Sequence, residues 1–296
     1  MLNHVTAAIF NQVANKPLLI HPSGLNTLYA NFENSAALNK QKIEAGPVDD
    51  AARDGYNIQK FHNLAILTTR GVVIKNCPYW LADWGYMGLN QTERAIKSAL
   101  MDDEVSEIIW VMDSPGGSVE GLMDFGEFVA KASKQKPITV LVDGMMASAA
   151  VWMTAGVSKI YSNRRDMIGS IGARMQLFDY SQYFEKQGIK SVVFDTGEYK
   201  SAGAMGEPLT DNHKKEFQRL VDGHFSDFKT MVVGNRPINN ENFDKLADGR
   251  IFFANEEPLH YGLIDGIQSL QATIDYIFDA ENKRKTAMAR FKMLDF

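Results

Sequence analysis

The chain has 296 residues, 45% of them hydrophobic and 23% charged, a balance that belongs to globular proteins with a substantial core. Its formal net charge of −5 and the lack of a basic block in the body of the chain remove the electrostatic basis for phosphate-backbone binding, so no nucleic-acid partner is expected. Cys77 is the single cysteine, which excludes an intramolecular disulfide framework and a multi-cysteine metal site; no metal and no cofactor are expected. The longest apolar runs, such as Asn63 to Leu67 and Ile138 to Val142, are strand-sized and fall far short of the ~20 residues of a membrane helix. The opening MLNHVTAAIFNQVAN lacks a positive n-region and a continuous apolar centre, so an intracellular, reducing location without a membrane is expected.

Residues 1–60 are weakly patterned and read as an N-terminal arm, with a short strand at Pro17 to Ile20, a short helix at Ser35 to Glu44 and a linker at Asp49 to Gly55. The organised domain is expected over 61–280. It opens on two β-branched or apolar runs, Leu64 to Thr68 and Val72 to Lys75, which flank Arg70-Gly71 and suit a hairpin. An aromatic and glycine-rich loop (Tyr79, Trp80, Trp84, Gly85, Tyr86, Gly88) follows, and Asn90-Gln91-Thr92-Glu93 is expected to cap a helix that runs to about Met101.

Glu107 to Met112 reads as a strand buried on both faces that runs into Asp113-Ser114-Pro115-Gly116-Gly117-Ser118 and then a helix from about Val119 to Ser133. Strand Ile138 to Val142, helix Ala147 to Gly156 and strand Lys159 to Ser162 continue the alternation. Strands separated by helices at these lengths predict right-handed crossovers and an α/β fold with a mainly parallel sheet. Beyond it a helix near Tyr180 to Gln187, a strand Ser191 to Phe194 and a loop Asp195 to Gly203 are expected. A long helix over Asp211 to Val233, short helices at Asn242 to Ala247 and Asn255 to His260, a strand Leu263 to Asp265 and a helix Leu270 to Ala280 complete the domain. Residues 281–296 form a basic tail.

Three places suit chemistry. Glycines between a buried strand and a helix, as in Ser114 to Ser118, let backbone N–H groups approach a ligand, which serves an oxyanion hole as well as a tight turn. Ser148, in Met146-Ala147-Ser148-Ala149-Ala150, suits a nucleophile at a helix start, although small residues there also serve close packing. The six histidines lie outside the glycine-rich loops, so a histidine base is not indicated. Lys200, in Gly197-Glu198-Tyr199-Lys200-Ser201-Ala202-Gly203, suits a lysine base, which requires a neutral amine, as well as an exposed loop position.

Asp113 to Ser118, Met146 to Ala150, Gly169-Ser170-Ile171-Gly172 and Tyr199 to Ala202 together resemble, in order and spacing, the signal peptide peptidase A family of serine peptidases on the Clp protease/crotonase fold. The resemblance covers roughly residues 62–278. Pro17-Leu18-Leu19-Ile20-His21-Pro22 also resembles the N-terminal segment of the capsid maturation proteases of tailed phages. The resemblance implies Ser148 as nucleophile, Lys200 as general base and Ser170 as the serine that orients the lysine. It implies an oxyanion hole from the amides of Gly117, Gly116 and Ala149. Glycines common after the nucleophile in cellular members are Ala149-Ala150-Val151 here.

The implied function is a Ser-Lys endopeptidase that cleaves scaffold or capsid proteins through an acyl-enzyme, as a homo-oligomer in the host cytoplasm or prohead. Alternatives are a cytoplasmic cellular peptidase of the same family, a capsid assembly or scaffolding component without catalysis, and acyl-coenzyme A chemistry on the crotonase branch, which leaves Ser148, Ser170 and Lys200 unexplained together.

Overall fold

A computed structural model describes residues 16–28, 30, 58–82 and 84–279, with the side chains of 79 and 80 not included. The helix expected at Ser35 to Glu44, the linker at Asp49 to Gly55 and the basic tail lie outside the described residues.

The apolar runs form the strands of an eight-stranded sheet. Its path is β11 (Ile251–Phe253), β10 (Met167–Gly169), β8 (Ile138–Ala147), β6 (Glu107–Ser114), β3 (Leu64–Arg70) and β2 (Ile58–Phe61), with β9 (Lys159–Ser162) and β12 (Gly266–Ile267) branching from β8. The β3/β6, β6/β8, β8/β9, β8/β10 and β9/β12 pairs are parallel; only the β2 and β11 edges are antiparallel. The expected mainly parallel α/β architecture is therefore present. A second, four-stranded sheet runs β1 (Leu18–Ile20), β7 (Gly116–Ser118), β4 (Val72–Ile74), β5 (Tyr86–Gly88).

Helices cover both faces of the large sheet, which is why β6 is apolar without alternation. Ile108, Ile109, Trp110 and Met112 are fully buried, each burial contributing about 1.5–3 kcal/mol. The Trp110 indole N–H donates to Thr69 Oγ1 at 2.7 Å, so the largest buried side chain leaves no orphaned donor. Helices Leu89–Met101 and Leu122–Gln135 pack on one face, together with Trp152 and Phe228, whose rings lie 5.3 Å apart. Ile277, on the helix over 270–279, closes a separate cluster with Leu64, Ile109 and Val111.

Several local expectations change. Leu64–Arg70 and Val72–Ile74 do not form a hairpin: the first pairs with β2 and β6, and the second enters the small sheet. Gly71 donates its N–H to Asp113 O at 2.9 Å, so the chain is carried forward between sheets and does not reverse. The helix expected to be capped at Asn90 begins at Leu89 after Gly88, without a side-chain cap; Asn90 Oδ1 accepts from the Cys77 amide instead. Ser191 to Phe194 forms no strand and is largely exposed, and the strand expected at Leu263 to Asp265 is Gly266–Ile267.

One bend positions the site. The N-terminal half of β8 pairs with β9 and its C-terminal half with β10, the two halves separated by Asp143-Gly144. Gly144 has φ 122, a conformation that favours glycine, and a Cβ there would stand 2.8 Å from Asp113 Oδ1. Asp113 Oδ1 accepts from the Met145 amide at 3.1 Å, and burial pushes its carboxyl above the ordinary range. β8 thereby continues to Ala147 and delivers Ser148 at its end.

Candidate active site

Ser148 stands between β8 and the short helix Ala149–Thr154, with φ 54 and ψ −113. That region is costly for a residue with a side chain and persists only where surrounding bonds enforce it. Here the Ser148 amide donates to Gly169 O at 2.8 Å, and its carbonyl accepts from the Val151 and Trp152 amides at 2.9 and 3.2 Å. The residue is 1% exposed, and among the described residues its hydroxyl makes a single long hydrogen bond, Oγ donating to Gly172 O at 3.5 Å. The hydroxyl is thus held in place while remaining almost uncommitted.

Ser170 is brought beside it by register. Ala147 and Gly169 are partners in the β8/β10 pair, so Ser148 and Ser170 each follow a paired residue by one position. Ser170 also has a positive φ, 47, and its amide donates to Arg250 O at 2.6 Å. Both serines are buried.

The Gly116-Gly117 turn, expected as a loop, is strand β7. A Cβ on Gly117 would stand 2.0 Å from Val73 O, and one on Gly116, at φ 89, would stand 2.3 Å from Leu19 O, 2.8 Å from Ala147 O and 2.9 Å from Ala149 N. Glycine is required at both, and Gly116 packs directly on the amide that follows Ser148. The Gly116 amide itself donates to Ser114 Oγ at 3.2 Å, and Ser114 Oγ donates to Gly71 O at 2.8 Å. Gly116 therefore shapes the turn, which leaves Gly117 and Ala149 as the amides of this cluster suited to an oxyanion.

Lys200 lies in the turn that follows the exposed stretch 192–199. It is exposed in a turn, and no hydrogen bond among the described residues joins it to Ser148 or Ser170. The turn has its own supports: Lys200 N donates to Gly197 O at 3.1 Å, Ser201 Oγ donates to Asp195, and Asn212 Nδ2 donates to Glu198 Oε1 at 2.8 Å. His213 Nδ1 accepts from the Thr210 amide at 3.4 Å, which leaves Nε2 to donate to Glu198 O at 2.9 Å. His213, which is buried, thus serves this turn and the capping box of helix Asp211–Asn235. The surrounding stretch is unusually apolar for a surface: Phe178, Tyr183, Val192, Phe194, Tyr199 and Met205 are all exposed, Phe194 to 94%.

Two backbone contacts near the site were not legible in the sequence. Gly172 supplies the carbonyl that holds the hydroxyl, and Arg174 exchanges both backbone hydrogen bonds with Leu18, at 2.7 and 2.9 Å. Backbone roles of this kind leave little mark on residue type. Among the described residues no group of three or more His, Cys, Asp or Glu side chains is placed to hold a metal ion, and no helix is long and apolar enough to cross a membrane.

Residues 130–283 match the model of Peptidase family S49. The chain is similar to a putative protease of Methanocaldococcus jannaschii, 32% identical over 56% of this chain and 53% of that protein. It is similar to the capsid assembly protease C of Escherichia phage lambda, 24% identical over 83% of this chain and 55% of that protein. A putative signal peptide peptidase of Enterococcus faecium is 26% identical over 61% of this chain and 52% of that protein. The chain thus spans about half the length of these curated relatives.

Proposed function

The chain belongs to peptidase family S49, whose model covers more than half of it, and from that premise we propose that it is a serine endopeptidase with Ser148 as nucleophile. The observation that carries this reading is the backbone of Ser148: buried, held at φ 54 at a strand-to-helix junction, with the Ala149 amide packed on Gly116. Strain of this kind is kept where it presents a reacting group.

In the reaction Ser148 Oγ attacks the scissile carbonyl carbon as its proton passes to a neutral amine, that of Lys200. The amides of Ala149 and Gly117 receive the oxyanion, where preorganised donors stabilise developing charge most. Collapse returns the proton to the leaving amine and leaves an acyl-enzyme, which water hydrolyses by the same path. Ser170 orients the lysine.

An exposed Lys200 needs to be covered before it can serve as this base. The apolar residues around it give the means: we read 177–205 as a face that packs on a second copy of the chain and carries Lys200 to a serine. The functional unit is then a homo-oligomer. Two experiments test the reading. A fluorophosphonate probe should label the protein and fail on Ser148→Ala; labelling that persists in Ser148→Ala would remove the nucleophile. Ser148→Ala and Lys200→Ala should each be inactive alone, and their mixture should regain part of the activity by pairing intact residues across copies. Retained hydrolysis in either single variant would sink the dyad.

For the substrate we propose scaffold or capsid polypeptides in a prohead, supported by the likeness to the lambda capsid assembly protease over 83% of the chain. The likeness to the M. jannaschii protease favours a second reading, a cellular peptidase that degrades peptides. Incubation with candidate capsid and scaffold proteins, with Ser148→Ala as control, separates them.

A further inference from the structure

Strand β1 lies between β7 and Arg174, with Leu19 O and Ala149 N both close to Gly116. It is antiparallel to β7 in the register Leu18 to Ser118, Leu19 to Gly117 and Ile20 to Gly116. His21 N donates to Pro115 O at 2.7 Å, so the alternation of an antiparallel ladder makes Leu19 and Gly117 the next hydrogen-bonded pair. On its other edge Leu18 bonds Arg174 through both backbone groups. Without β1, the β7 edge and Arg174 would face each other as two open rows of donors and acceptors, which is the form of a cleft that takes a peptide as an added strand.

The register places one carbonyl at the chemistry. Leu19 O stands beside Gly116, on the same side as Ala149 N, and pairs with the Gly117 amide. These are the donors read above as the oxyanion hole. The Leu19 side chain is fully buried, in the same apolar cluster as Met146, Ala149 and Ile171. With β1 seated, Ser148 is 1% exposed, and an incoming peptide meets no open edge on β7.

We propose that Leu18–Ile20 is a built-in occupant of the substrate cleft, with Leu19 in the place of the residue whose carbonyl is attacked, and that β1 must leave before a polypeptide adds in its place. The proposal rests on the reading of Ser148 as nucleophile. It also makes the cleft selective for an extended segment with an apolar, leucine-like residue before the cut.

The test fixes the strand in place. Leu18 and Arg174 form a hydrogen-bonded antiparallel pair, whose Cα separation of about 5.5 Å suits a disulfide. Leu18→Cys/Arg174→Cys is made in full-length protein, in the Ser148→Ala background for binding and with Ser148 intact for hydrolysis. The binding probe is a labelled peptide with the sequence of residues 16–24. Reduced protein should bind it, and oxidation should weaken binding about tenfold or more, because the competent fraction falls; added reductant should restore it. Equal binding in both redox states, or none in either with a cooperative melt intact, overturns the proposal. Hydrolysis judges the other reading separately: if reduced protein binds the peptide yet shows no Ser148-dependent cleavage, the nucleophile fails and the occupied cleft stands.

Discussion

The Ser148 amide donates to the Gly169 carbonyl at 2.8 Å, a single bond that closes the ends of β8 and β10 and holds Ser148 at φ 54. It extends the Ala147/Gly169 pairing by one residue and brings Ser170 alongside. The strain it enforces has a measurable consequence. Ser148→Gly should raise stability by about 1 kcal/mol, since a strained residue costs about 1–3 kcal/mol and glycine returns part of that as chain entropy. Ser148→Ala keeps the strain and should melt like the wild type. Both should be inactive. Urea or thermal melts of the three proteins check this, and a less stable Ser148→Gly would contradict the strain.

Gly117→Ala should be destabilised by about 1–3 kcal/mol, because its methyl meets backbone and not a yielding side chain. The Val73 oxygen and nitrogen lie 2.0 and 2.6 Å from the new carbon. Gly172 has nothing within 4 Å of a built Cβ, so Gly172→Ala should stay within about 0.5 kcal/mol of wild type. Denaturant midpoints of the pair give the comparison.

Arg236 and Asp265 form the buried ion pair of the described residues, Nη2 to Oδ2 at 2.5 Å, with Arg236 Nε also donating to Leu263 O at 3.1 Å. Burial pushes the Asp265 carboxyl up, but the Arg236 guanidinium, the Ile160 amide and Lys159 outweigh it and hold it below the ordinary carboxylate range. A depressed carboxyl contributes stability above its unfolded value, and that contribution is lost as pH falls through the folded value. Arg236→Met should cost about 3–5 kcal/mol at neutral pH by stranding the carboxylate. The gap from wild type should narrow below about pH 4. Stability against pH for the two proteins reads both signs.

Cys77 is buried and its thiol is pushed up to about 12 by that burial, so almost no thiolate exists at pH 8. Folded protein should resist a thiol reagent there and react with one equivalent once denatured. Rapid native labelling would show that the β4 to β5 region opens. The same inertness leaves engineered cysteines at positions 18 and 174 free to pair with each other.

The sequence carried the large sheet and the serine more fully than the rest of the site. β6, the start of β8 and β9 were legible because strands buried on both faces are written in unbroken apolar residues, as in Ile108 to Met112. β10 and β11, three residues each, were not, since so short a strand exists only through its neighbours. The hairpin expected across Gly71 failed for a similar reason: two adjacent apolar runs specify burial, and only the surrounding sheets decide their partners.

Residue types are written in the chain itself: a small serine after Asp143-Gly144, glycines where β7 meets Val73 and Leu19, and a lysine in a short turn. Only glycine fits at Gly116 and Gly117, because a Cβ there would meet the backbones of Leu19 and Val73. Tertiary structure decided what those residues face. It set Ser148 and Ser170 side by side through parallel register, left Lys200 exposed on an apolar surface, and laid Leu19 along Gly117. Each is a pairing of backbones distant in sequence, and backbone hydrogen bonds are made alike by nearly every residue type, so no side chain announces them in advance.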